Sequence, residues 1–269
     1  MNPLEYWNPE EFEISSYKYS LKERVNKTYT TSGSDNTNLC TYTYNELGFR
    51  GDSVKKQGFK VMSLGCSHTE GVGVNYNDTW PLQFSSLIPD GVNMNFGKGG
   101  RSNDFICRCL LTFYDLIKPD LVLIMYSSPL RREVYTKGGG VEPFMPTHSW
   151  GYMVETSDGK KIQNYLSEIQ NDNEDFINWY KNHQLIKLFL ESKNCNWLWN
   201  GSFSTPIEYE EFNRFDGNYK NFIDMGVAGG HAGPIQNSSY ANELYNHIRT
   251  KLPEYISRVP ENLLLSNSK

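Results

Sequence analysis

The sequence predicts an α/β domain built on a doubly wound parallel sheet. Three observations carry that prediction. Apolar runs at 59–64, 92–96, 121–125 and 196–200 are short, and the one at 121–125 is nearly continuous, as a central strand covered on both faces is. Stretches with helical spacing of apolar residues alternate with them, giving β-α-β-α-β-α-β-loop-α. A chain of 269 residues is also long enough to bury the core such a sheet needs. The expected organisation is a single domain over 1–269. It comprises an irregular N-terminal arm (1–55), an α/β core (56–134 and 171–252) and a lid-like insertion (135–170).

The elements follow in order. In the arm, 28–38 is rich in Thr, Ser, Gly, Asp and Asn and reads as loop. Residues 41–44 alternate weakly as a strand, and 44–51 form a turn with two glycines. The first core strand, 59–64, stops at Gly65, where Cys66-Ser67-His68-Thr69 turn into a helix. Asp78 and Thr79 can cap the next helix, through Trp80-Pro81-Leu82, because proline is tolerated in a first turn. The second strand, 92–96, opens on Gly97-Lys98-Gly99-Gly100-Arg101-Ser102-Asn103. An amphipathic run then carries Phe105, Ile106, Cys109, Leu110, Phe113 and Leu116, and Pro119 ends it. The third strand, 121–125, opens on Tyr126-Ser127-Ser128-Pro129. Residues 135–170 show neither period and contain three consecutive glycines, which is the pattern of a loop laid over a sheet edge. Helices at 174–190 and 238–251 and the strand at 196–200 complete the pattern.

Composition narrows the function. Hydrophobic residues are 38% and charged residues 21%, so the chain is globular rather than disordered. Net charge is −5 with no long basic run, which argues against nucleic acid as a partner. No apolar stretch reaches transmembrane length and the acidic start lacks a signal-peptide core, so the expectation is a cytoplasmic protein with no membrane partner. The five cysteines show no paired metal-ligand spacing. They read as reduced thiols, and no metal or cofactor is expected.

A strand that ends on Gly-X-Ser places Ser67 at the carboxyl edge of the sheet, where open α/β folds bind ligands. A nucleophilic hydrolase needs a serine, a base within reach, an orienting acid and donors for an oxyanion. His231 is the candidate base, because it alone of the five histidines sits among glycines just before a helix. His68 neighbours the serine, but adjacent side chains diverge, so it reads as pocket wall. Asn103, Arg132, Trp150 and Tyr152 are further candidate pocket residues. Trp150, Tyr152, Trp179 and Tyr180 could present aromatic faces to a sugar.

Three blocks resemble the SGNH (GDSL-type) hydrolases, serine esterases and lipases on a flavodoxin-like sheet. The first is Gly65-Cys66-Ser67-His68-Thr69-Glu70-Gly71, with Thr79-Trp80-Pro81 behind it. The second, N-x-G-x-x-G, is Asn95-Phe96-Gly97-Lys98-Gly99-Gly100. The third is His231 with its Ala232-Gly233-Pro234 tail. The resemblance implies Ser67 as nucleophile, His231 as base, and Ser67 and Gly100 as oxyanion donors. Two departures stand out. The family's G-x-N-D block is replaced by Ser127-Ser128-Pro129, leaving Ser127 or Ser128 to substitute for the asparagine donor. The residue three before His231 is Ala228 where the family has aspartate. A Ser–His dyad, a substitute acid (Asp224 first), or an inactivated variant would each explain it. The Gly-Val-Ala-Gly-Gly-His context reads naturally with aspartate at 228 and favours the last, in which case Ala228→Asp restores about two to four orders of magnitude.

The resulting expectation is a serine esterase acting on a small-molecule or glycan ester, with O-acetyl groups on a carbohydrate favoured. The alternatives are a non-catalytic glycan- or ester-binding protein on the same fold, and an acyltransferase using the same serine.

Overall fold

A computed structural model of the chain describes residues 21–32, 39–135, 141–144, 164, 168, 171–201, 213–215, 217, 219, 223–227 and 229–257. The arm contributes a one-turn helix, α1 (Leu21–Arg24), and an antiparallel hairpin of β1 (Thr28–Ser32) and β2 (Leu39–Thr43). The first of these strands lies where a loop was expected. Its Thr-Tyr-Thr-Thr-Ser sequence is loop-like in composition, but threonine and tyrosine suit a pleated strand once a partner is present. Farther along the arm, Phe49 is buried between Phe96 and Phe113, so the arm shares the main core.

The central sheet is parallel and four-stranded. It is made of β3 (Phe59–Gly65), β4 (Gly91–Gly97), β5 (Leu121–Tyr126) and β8 (Asn196–Gly201), in the order β4-β3-β5-β8. Numbered along the chain these strands run 2-1-3-4, the flavodoxin-like order. Alternate residues serve opposite layers. Met62, Leu64, Val122 and Ile124 face α4 (Asn103–Ile117) and α5 (Asp172–Ser192). Val61, Leu121, Leu123 and Met125 face α3 (Trp80–Ser86) and α6 (Pro234–Lys251). Both faces are therefore covered, which is why β5 reads as a continuous apolar run rather than an alternating one. No helix among the described residues is long and apolar enough to cross a membrane.

Register places the loops. Gly65 pairs with Gly97 on one side and with Met125 on the other. Ser67, Gly99–Gly100 and Ser127–Ser128 thus all lie two or three residues beyond one row of the sheet, at its carboxyl edge. Close approach enforces the glycines there. A Cβ on Gly97 would collide with the backbone nitrogen of Glu70, and one on Gly65 with the Thr69 hydroxyl.

Several expectations change. The helix after Ser67, α2 (Ser67–Glu70), is a single turn, so it contributes the Ser67 N–H rather than a sizeable macrodipole. The last helix begins at Pro234, four residues earlier than its apolar pattern, because a remote carboxylate, Asp224, caps it. A hairpin of β6 (Arg132–Tyr135) and β7 (Val141–Phe144) straddles the expected start of the insertion at 135. Trp150 and Tyr152 lie outside the described residues. Trp179 is fully buried against Tyr126, His183 and Trp199, so it belongs to the core and offers no face to a ligand. All five cysteines are free thiols.

Candidate active site

Ser67 is the first residue of α2 and is largely buried. The first bonded N–H groups of that turn are those of Thr69 and Glu70, both given to the Cys66 carbonyl. The Ser67 N–H precedes them and has no partner among the described residues.

His231 comes from the other end of the chain on a tight turn. The Gly233 N–H donates to Asp224 O at 3.0 Å, the Gly226 N–H to His231 O at 2.9 Å and the Gly229 N–H to Gly226 O at 3.0 Å. Gly229 and Gly230 have φ of +64° and +61°, a conformation that glycine adopts readily and that other residues resist. Two fastenings hold this turn against the serine loop. The Val227 N–H donates to Gly73 O at 2.9 Å. Buried Asn237 donates through Nδ2 to Ala232 O and Gly233 O, while its Oδ1 accepts the Trp80 N–H at the start of α3. The His231 ring consequently sits 5.1 Å, centroid to centroid, from that of His68, the neighbour of Ser67. Ser67 and His231 are not joined by a hydrogen bond, a looseness common at such sites without substrate.

The orienting partner of His231 is a backbone group. Nδ1 lies 2.9 Å from the Gly229 carbonyl oxygen. A carbonyl only accepts, so Nδ1 carries the hydrogen and Nε2 keeps its lone pair, the tautomer a general base requires. Asp224, the first substitute acid considered, is committed elsewhere. Its two carboxylate oxygens accept the Ile235 and Gln236 N–H groups at 2.9 and 2.8 Å, capping α6. Ala228 lies outside the described residues.

The charge balance favours neutral imidazoles. Burial, then His231 and Arg131, push His68 down to about 3. Burial also lowers His231, and Arg131 adds to this, while the Gly229 carbonyl and Glu70 oppose it. His68 therefore stays neutral, and its buried ring, edge-on to Tyr219, forms a wall of the site.

Gly100, the expected oxyanion donor, has φ of +74°, and its N–H has no hydrogen-bond partner among the described residues. The adjacent Gly99 lies close to Ser67: a Cβ there would be 3.7 Å from the Ser67 Cβ. Ser127 and Ser128 differ in what they can offer. The Ser127 N–H is given to Asn103 Oδ1 at 2.9 Å, and Asn103 Nδ2 returns a bond to Ser127 O at 3.1 Å. The Ser127 hydroxyl accepts from Arg131 at 2.9 Å, which leaves its own hydrogen to donate. Ser128 is partly exposed, its hydroxyl accepting only a long bond from the Leu130 N–H at 3.4 Å. Asn103, expected in the pocket, is thus a buried clamp on the loop after β5. Arg132 is likewise spent on structure, with its guanidinium on Asp175 at 2.7 Å and on the carbonyls of Pro129 and Glu174.

No protein-family model matches the sequence, and no curated protein matches it. The solved structures to which the chain is similar include the following two. One is an acetyl xylan esterase from the rumen bacterium Butyrivibrio proteoclasticus, at 14% identity and a TM-score of 0.46, covering 72% of this chain and 64% of that one. The other is a carbohydrate acetylesterase family member from Sinorhizobium meliloti, at 13% identity and a TM-score of 0.34, covering 72% and 99%. The chain spans less than two thirds of the length of the first. Both likenesses concern overall shape alone.

Three groups of the site lie outside the sequence motifs' expected roles: the Gly229 carbonyl, Arg131 and Glu70. A backbone acceptor leaves no side-chain signature. Arg131 was hidden beside Arg132, and only the loop geometry tells the two apart. Glu70 did carry a signal, being a lone carboxylate in a turn otherwise made of small or uncharged residues.

Proposed function

We propose that the chain is a serine ester hydrolase in which Ser67 is the nucleophile and His231 the base. The observation that carries this reading is the His231–Gly229 contact, which leaves Nε2 unprotonated beside the serine turn. Ser67 Oγ attacks the ester carbonyl carbon as its proton passes to Nε2. The negative charge developing on the carbonyl oxygen is met by the Gly100 and Ser67 N–H groups, with the Ser127 or Ser128 hydroxyl standing in for the absent asparagine. Collapse expels the alcohol, which takes the proton from His231, and leaves an acyl-serine. Water activated by the same imidazole then releases the acid and restores Ser67.

The Gly229 carbonyl fixes the tautomer as a triad aspartate would, but it carries no full charge and so stabilises the imidazolium less. This supports a working, slower enzyme with a Ser–His pair. The surroundings of Ser67 also bear on the substrate. They are polar (His68, His231 and Arg131) and tight at Gly99, which suits a small acyl group on a polar alcohol. An O-acetylated carbohydrate is the substrate class favoured.

An ester series tests both parts. Acetyl esters, including O-acetylated oligosaccharides, should turn over at least about tenfold faster than octanoyl esters. A preference for the long chain would overturn the carbohydrate reading. Absence of turnover on every ester would overturn the hydrolase.

A further inference from the structure

Glu70, inside the serine turn, is a buried carboxylate, 3% exposed. Its two oxygens have different duties. Oε2 accepts the Gly99 N–H at 2.6 Å, a short, charge-assisted bond. Oε1 accepts from Arg24 Nη1 at 2.7 Å and from the Tyr44 hydroxyl at 3.1 Å. Both of those donors belong to the N-terminal arm. A third arm residue, Arg50, is fully buried and donates to the carbonyls of Glu70, Gly71 and Val74. Burial alone would push the Glu70 carboxyl up, yet Arg24, the Gly99 N–H, Arg50 and Lys98 together hold it below the usual carboxylate range. It is a carboxylate at neutral pH.

We infer that Glu70 is a positioning residue for the oxyanion loop, and that Arg24 and Tyr44 of the N-terminal arm complete it. The inference rests on the esterase reading above. The Gly99 N–H lies in the peptide plane that enters Gly99 and the Gly100 N–H in the plane that leaves it, so anchoring the first on a carboxylate leaves only the two dihedrals of Gly99 between the anchor and the oxyanion donor. Gly100 itself, at φ +74°, resists little on its own. Without a charged acceptor beneath it, a loop carrying two glycines would sample orientations in which the donor misses the oxyanion. The carboxylate in turn requires the arm, because a buried charge without Arg24 is strongly unfavourable. The arm is therefore part of the apparatus that positions this donor.

The test separates this role from a merely structural one. In Glu70→Leu/Arg24→Met the ion pair is replaced by apolar groups of similar size, an exchange that buried pairs tolerate with little loss of stability. The Gly99 N–H, however, loses its acceptor. The double variant should stay folded, its thermal midpoint lowered because the Gly99 N–H and the Tyr44 hydroxyl lose their acceptor, while kcat per folded molecule falls by at least about tenfold and KM moves less than about threefold. Amide exchange in the peptide spanning 97–101 should accelerate by at least about tenfold. If the double variant does not fold, Glu70→Gln keeps the shape and neutralises the charge, and a loss of at least about threefold in kcat is expected. A stable variant with wild-type kcat and wild-type exchange would overturn the inference. A wild-type chain without ester turnover would overturn the esterase reading instead, and the exchange measurement would still decide whether Glu70 holds the loop.

Discussion

The Nδ1 atom of His231 lies 2.9 Å from the carbonyl oxygen of Gly229, two residues away in the same turn. In a Ser-His-Asp site the aspartate orients the ring, fixes the tautomer and balances the imidazolium charge. Here the backbone supplies the first two. Ala228→Asp should therefore raise kcat by about tenfold to a hundredfold, well short of the roughly ten-thousandfold that loss of orientation and tautomer together cost elsewhere. Asp224→Asn should lower thermal stability by removing a helix cap worth about 1 kcal/mol, with kcat per folded molecule unchanged. Steady-state kinetics on the two variants check this. A fall in kcat for Asp224→Asn would return the orienting role to that carboxylate.

The pH profile follows from the state of two imidazoles. Burial and Arg131 hold His231 below its ordinary value, so it is unprotonated at neutrality. Activity should be flat above neutral pH and should fall as pH drops through a single midpoint below about 6.5. His68, pushed down to about 3, adds no limb in that range. Arg131→Gln removes a repelling charge, so the His231 value rises and the midpoint moves to higher pH. An unmoved or lowered midpoint would contradict this. The same displacement bears on stability. An unfolded imidazole takes a proton near 6.5 and folded His68 only near 3, so this stabilisation is complete above 6.5 and is lost as pH falls toward 3.

Gly100 should be intolerant for a chemical as well as a conformational reason. Its N–H has no other hydrogen-bond partner among the described residues, and its φ of +74° disfavours any side chain. Gly100→Val should reduce kcat by roughly a hundredfold or more, the scale of losing one oxyanion donor. A folded variant, verified by its thermal midpoint, with unchanged kcat would exclude the role.

Much of this arrangement was legible in the sequence, for physical reasons that also mark where legibility ended. The four core strands showed because burial on both faces favours apolar residues at most positions, and in β5 at all of them. The serine and glycine turns showed because a backbone that approaches another closely, as Gly97 does Glu70, admits no side chain. The strand Thr28–Ser32 did not show, since its residues are as common in loops and its pairing is a tertiary fact. Trp179 and Tyr180 looked equivalent as candidate sugar platforms, yet one is buried in the core and the other is exposed on α5. Asp224 was noticed as a spare acid, but a carboxylate close in sequence to a histidine is as useful to a helix start, and here α6 claims both its oxygens.

The central claim is that Ser67 is a live nucleophile in this chain as it stands, with Ala at 228 and a carbonyl orienting His231. The most direct measurement is labelling of the intact protein with a fluorophosphonate, the modified residue being located by peptide mass spectrometry. Stoichiometric phosphonylation of Ser67 is expected, slowed by about a hundredfold or more in His231→Ala and absent from a folded Ser67→Ala variant. No adduct on the wild-type chain, or an adduct on another residue that persists in Ser67→Ala, would contradict the account.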